Sequence, residues 1–190
     1  SNSSEIFTHL KLHIYPDGGV ARFRVYGEVF KDWETNGNDE TIDLASALNG
    51  AVSINCNDMF FSDMKNLLMP DQGVNMGDGW ETKRNRTPGN RDWVVIKLAT
   101  KGTIEKVLVD TCHFKGNYPD SCSIEACLSD NDENVLNDKI EWHTILPKQQ
   151  LSADCEHEFP VNDKNIYSHA RLNIFPDGGI SRLRLFGKKA

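Results

Sequence analysis

The sequence predicts an all-β domain, an antiparallel β-sandwich or jelly roll, on three observations. Apolar residues alternate at period two in DWVVIKLA (92–99), IEKVLVDTCHF (104–114) and SCSIEACLS (121–129), as they do where one strand face is buried. Gly, Pro and Asn turns divide these runs, which is the punctuation of many short strands. Helical patterns are few. The best is FFSDMKNLLM (60–69), where Ser62 and Asp63 can cap one or two turns before Pro70 stops them.

The first element in chain order is also the last. FTHLKLHIYPDGGVARFRVYGE (7–28) returns as YSHARLNIFPDGGISRLRLFGK (167–188) at a constant offset of 160 residues, and ten of the nineteen positions from His9 to Gly27 are identical. That period is too long for a solenoid and suits a whole domain. Residues 1–28 are therefore expected to be the C-terminal hairpin of a preceding homologous domain whose body is missing. Residues 29–42, with Asn36, Gly37, Asn38 and Asp39, read as a linker, and residues 43–190 as one complete repeat domain. Within the repeat, Leu172 and Ile174 share one face of the first arm, Leu183 and Leu185 one face of the second. Asp-Gly-Gly between them supplies a tight turn that Pro176 pre-sets, so a hairpin is expected. Arg182 and Arg184, like Arg22 and Arg24, fall on the opposite face and are expected to point to water, with a ligand-facing or interface role as the alternative. An isolated copy of such a hairpin is marginal, and its open edge should seek another chain.

Composition narrows the partners. Lys and Arg total 21 against 28 Asp and Glu, a net charge of −7, which argues against nucleic acid or an anionic membrane. No apolar run approaches the ~20 residues of a membrane span, and no signal peptide opens the chain; a soluble, cytoplasmic protein is expected. The five cysteines form no C-x-x-C pair and no H-x-x-H motif occurs, so reduced thiols and no metal are expected.

Two loops are chemically dense. GDGWETKRNRTPGNRDW (77–93) gathers Lys83, Arg84, Arg86 and Arg91, whose guanidinium forks match a planar carboxylate; surface pairing with Asp78, Glu81 and Asp92 is the plain alternative. Trp80 and Trp93 read as core anchors. DTCHFKGNYPDSC (110–122) carries Asp110, His113, Lys115, Asn117 and Asp120. As a histidine, His113 suits proton transfer, or metal ligation although no H-x-x-H spacing supports that, or it is a hydrogen-bonded residue at a strand end. Both loops adjoin strands, so they are expected to meet at one end of the sandwich around a small polar concavity.

Residues 43–187 and 7–27 resemble the allantoicase family: DGWETKRN, DT-x-HF-x-GNYPD and the PDGG segment occur together in that order. The resemblance implies two homologous jelly-roll domains of the galactose-binding-like type. It also implies hydrolysis of allantoate to ureidoglycolate and urea, and assembly into a homo-oligomer; the orientation and proton transfer which that reaction needs can come from side chains, so no cofactor is expected. Carried onto the matching motifs, it implies a carboxylate clamp from Arg84 with Lys83 or Arg86 and a base from Glu81 or Asp120. It further implies an acid from His113 and a hydrogen bond to a ureido group from Asn117. The alternative is a non-catalytic galactose-binding-like ligand-binding or structural domain, with catalysis in the missing domain.

Overall fold

A computed structural model describes residues 5–34 and 40–190. Its strands are β1 (Ile42–Asp43), β2 (Val52–Cys56), β3 (Trp80–Glu81), β4 (Asp92–Asp110), β5 (Ser121–Cys127), β6 (His143–Gln150), β7 (Glu156–Pro160), β8 (Tyr167–Phe175), β9 (Gly179–Ile180) and β10 (Arg182–Lys189). Every pairing is antiparallel. Among the described residues, helix is confined to α1 (Asp132–Leu136) and three 3-10 segments. The expected 60–69 helix is one of these, Met64–Leu68: Asp63 caps it by accepting from the Lys65 amide, and it buries Leu67 and Leu68.

The runs 92–99 and 104–114 are not two strands. Their residues up to Asp110 form the single 19-residue strand β4. Its first half pairs β2 and β8, its second half β7 and β10. With β5 and β6 beyond β8, and β1 beyond β10, β4 runs from a five-stranded sheet into a four-stranded one. Period-two alternation then buries Val94 and Ile96 of the first half, Val107 and Val109 of the second, with Leu172, Ile174, Leu183 and Leu185, in one core. Trp80 is in this core as expected; Trp93 packs in a smaller cluster with Val95, Cys127 and Val135.

The repeated segment is not a hairpin. β8 and β10 do not pair with each other; each pairs a different half of β4, so PDGG is a crossover from one sheet to the other. The turn residues set local backbone only, with Gly178 at φ 139°, while the ladder partner is chosen by the long strand that accepts both arms. Its glycines serve close approach. A Cβ on Gly178 would stand 2.7 Å from the Asn117 carbonyl oxygen, and one on Gly179 1.9 Å from the Phe114 ring.

Arg182 and Arg184 do not point to water, because loop 69–79 covers the outer face of β10. Arg182, 3% exposed, donates to the carbonyls of Asp71, Asp78 and Ser181 and pairs with the Asp78 carboxylate at 2.9 Å. Arg184 donates to the carbonyls of Met69 and Asp71. Buried guanidinium without such partners would be costly, so the loop and the two arginines order each other. The hydrogen bond from Arg182 holds the Asp78 carboxyl below its usual range. A depressed native pKa contributes stability above the unfolded value of about 3.9, lost as pH falls through the native one. Asp78→Asn is expected to cost about 1–2 kcal/mol at pH 7, since Asp78 is partly exposed and Arg182 keeps its carbonyl partners. Denaturant melts at neutral and acid pH check this: the gap to the wild type should narrow below about pH 3.9.

The first copy of the repeat shares the turn but not the packing. Tyr15–Pro16 and Phe175–Pro176 are both cis, and Gly18 and Gly178 have the same φ of 139°. Yet residues 5–34 form no strand, and Leu12, Ile14, Phe23 and Val25, the counterparts of core residues, are exposed. Trp33 is tied to the domain: its carbonyl accepts from Lys189, and its side chain packs on the core. Asn36, Gly37, Asn38 and Asp39 of the expected linker lie outside the described residues.

Candidate active site

A cavity of about 370 Å³ lies where loop 77–93, loop 111–120 and the PDGG crossover meet. β3 positions the first loop: Trp80 is buried with its indole N–H on the Asp58 carbonyl at 2.8 Å, and Glu81 pairs Gly179 across β9. Thr82, buried beside it, accepts the Gly178 amide at 3.1 Å, and the Asn85 amide donates to Asp177 Oδ2 at 2.9 Å. Asn90 caps the Pro176 carbonyl at 2.5 Å. The second loop is pinned by Phe114, fully buried against Gly79 and Gly179, and by Gly179 N donating to the Asn117 carbonyl at 2.8 Å.

Four of the expected residues line this cavity: Glu81, Arg84, Asn117 and Asp120. Asn117 Nδ2 donates to Glu81 Oε1 at 2.5 Å, which orients the half-buried carboxylate. Arg84 forms no ion pair among the described residues and is exposed at the rim, so its fork is available to an anion. The other three lie elsewhere. Lys83 is exposed and pairs with Asp58 at 3.3 Å, and Arg86 is exposed outside the lining. His113 turns away: its Nε2 is 2.7 Å from the Gly73 carbonyl, and its amide donates to Asp154 at 2.7 Å. The sequence missed Asp177, Tyr118, Thr82 and Phe61, which also line the cavity. Asp177 had a signal, since its counterpart Asp17 is kept in the first copy of PDGG.

The cavity can hold one small carboxylate. Arg84 offers a planar fork for it, while Glu81 and Asp120 bring two further carboxyl groups into the same cavity. Such a combination suits hydrolysis in which water is deprotonated and a leaving nitrogen protonated.

The family model described as the allantoicase repeat matches residues 1–30 and 42–190. The chain belongs to the allantoicase family. It is 54% identical to a probable allantoicase of Pseudomonas syringae pv. syringae over 193 positions, covering 100% of this chain and 58% of that protein. Against a probable allantoicase of Photobacterium profundum it is 52% identical over 193 positions, with the same coverage of 100% and 58%. The allantoicase from Saccharomyces cerevisiae superposes with a TM-score of 0.77 at 42% identity, over 91% of this chain and 49% of that one. The chain therefore spans little more than half the length of the curated allantoicases it matches. A galactose-bound family 32 carbohydrate-binding module from C. perfringens NanJ has a TM-score of 0.56 at 8% identity, over 77% of this chain and 99% of that one. That likeness is one of fold alone, and it confirms the galactose-binding-like sandwich. No helix among the described residues is long and apolar enough to cross a membrane.

Proposed function

We propose that this chain is part of an enzyme that hydrolyses allantoate to ureidoglycolate and urea in purine breakdown. The observation that carries the reading is the convergence of Glu81, Arg84, Asn117 and Asp120 on one cavity of a size for a small acid, in a chain of the allantoicase family. Allantoate has one carboxylate and two ureido groups on a single carbon. Arg84 binds the carboxylate, and Asn117 or a backbone group of its loop binds a ureido oxygen. Glu81 takes a proton from water as its oxygen bonds to the central carbon; the C–N bond to one ureido group breaks, and Asp120 protonates the departing nitrogen so that urea leaves. Orientation and proton transfer are the tasks, and positioned side chains perform them. His113, outside the cavity, has no part in this scheme.

Residues 5–28 belong, in this proposal, to a preceding homologous domain. What supports it is a mismatch: Gly19 and Gly27 keep the glycines of the second copy, although beyond their chain neighbours nothing lies within 4 Å of where their Cβ atoms would be. Phe61 at the cavity, exposed together with its chain neighbours Met59 and Phe60, supports a homo-oligomer, since exposed apolar surface at a site mouth is favourably covered by protein. Five free cysteines fit a cytoplasmic location.

Urea release from allantoate, measured with the full-length protein and with the 190-residue chain, tests the reading. Activity is expected in the full-length protein; its absence there, with a folded protein, would overturn the proposal. Arg84→Lys in the full-length protein is expected to raise KM about tenfold or more with kcat little changed, because a point charge cannot reproduce the bidentate fork.

A further inference from the structure

We propose that Cys112, His113 and Asp154 form a binding site for a soft divalent metal ion of the Zn²⁺ type. One ligand atom from each lies within 4.8 Å of the others, and this is the one such group among the described residues. It stands apart from the cavity, so it holds whether or not allantoate is the substrate.

The imidazole is already prepared as a ligand. The Gly73 carbonyl, 2.7 Å from His113 Nε2, can only accept a hydrogen bond, so Nε2 carries a proton and Nδ1 is the ring nitrogen that would bind an ion. A backbone carbonyl in that position is the usual outer partner of a metal-bound histidine. The main chain is fixed on both sides. Thr111 N donates to the Cys155 carbonyl at 3.0 Å, Asp110 Oδ1 accepts the Cys112 amide at 2.7 Å, and Asp154 Oδ1 accepts the His113 amide at 2.7 Å. His113 and Asp154 both adopt left-handed backbone, at φ 72° and 56°. That conformation at His113 lets adjacent side chains, Cys112 and His113, serve one point in space.

Charge and donor type choose the ion. The Asp110 carboxylate, which accepts the Cys112 amide, adds negative charge beside the group. The competing cation, Lys115, reaches Asp154 Oδ2 at 3.5 Å from a side chain that is mostly exposed, so an ion would displace only a surface pair. A thiolate, an imidazole and a carboxylate suit Zn²⁺ and exclude Mg²⁺ and Ca²⁺, which prefer oxygen alone; three protein ligands leave a fourth position open to water. The same loop continues to Gly116, Asn117 and Asp120 at the cavity, so a bound ion would brace the cavity wall from behind.

The test uses Co²⁺ as an optical probe on the 190-residue protein after chelator dialysis. One equivalent is expected to give a sulfur-to-cobalt charge-transfer band that Zn²⁺ abolishes by displacement. Cys112→Ser should lose the band, while Cys155→Ser, which removes the nearby thiol, should keep it. Asp154→Asn and His113→Gln should each weaken binding by more than the roughly 10- to 100-fold that loss of an outer partner costs. Thermal melts without metal show which variants are folded, and only folded ones are compared. Absence of saturable one-to-one binding in the wild type, or a band that survives Cys112→Ser, overturns the proposal.

Discussion

Glu81→Gln in the full-length protein is expected to lower kcat for urea release by about 10²- to 10⁴-fold, the range that a positioned general base contributes. The substitution keeps shape and the possibility of a hydrogen bond with Asn117, and it leaves the backbone pairing of Glu81 with Gly179 untouched. What it removes is the proton acceptor. KM should therefore move little, because in the proposed scheme the substrate carboxylate is held by Arg84, three residues on. Asp120→Asn serves as the comparison. It lines the same cavity but is exposed, and its carboxylate accepts from its neighbour Ser121 at 3.1 Å rather than from another loop, so it lacks the fixed orientation of Glu81 and should cost less. Steady-state kinetics with a parallel thermal melt separate the cases: a folded Glu81→Gln variant with wild-type kcat would remove Glu81 from the chemistry.

How much of this was legible follows from the range over which each signal acts. Alternation at period two is local, and it located the strand-forming residues and their buried faces from Val94 to Leu185. Whether 92–99 and 104–114 are two strands or one is decided at Gly102, where a Cβ would stand 2.3 Å from the Lys188 carbonyl oxygen, a contact across the sheet that no local pattern reports. The same limit explains Arg182 and Arg184. Alternation says correctly that they oppose the leucines, but a loop more than 100 residues earlier in the chain covers that face. In the site, loop membership was legible and direction was not. Asn117 and His113 are four residues apart on one loop, yet Phe114 anchors it between them, sending one toward Glu81 and the other toward Gly73.

Gly179→Ala in the 190-residue chain is expected to cost about 3 kcal/mol or more, at or beyond the usual limit for overpacking. The added carbon would lie 1.9 Å from Phe114 Cε1, and the ring has no room to retreat, being fully buried with Gly79 also within van der Waals reach. Phe114→Leu combined with Gly179→Ala should recover part of the loss, a coupling that a change in unfolded-state entropy would not produce. The equivalent change in the first copy, Gly19→Ala, meets no atom within 4 Å and should shift stability by no more than about 0.5 kcal/mol. The contrast changes in the full-length protein. If residues 5–28 close a sandwich there as residues 167–188 do here, Gly19→Ala should become as damaging as Gly179→Ala, since Gly19 would then face its own buried ring. Denaturant melts of both variants in both proteins decide it. A Gly19→Ala variant that stays silent at full length would mean that the first copy packs on no homologous domain, and that the duplication extends to the sequence of the segment but not to its role.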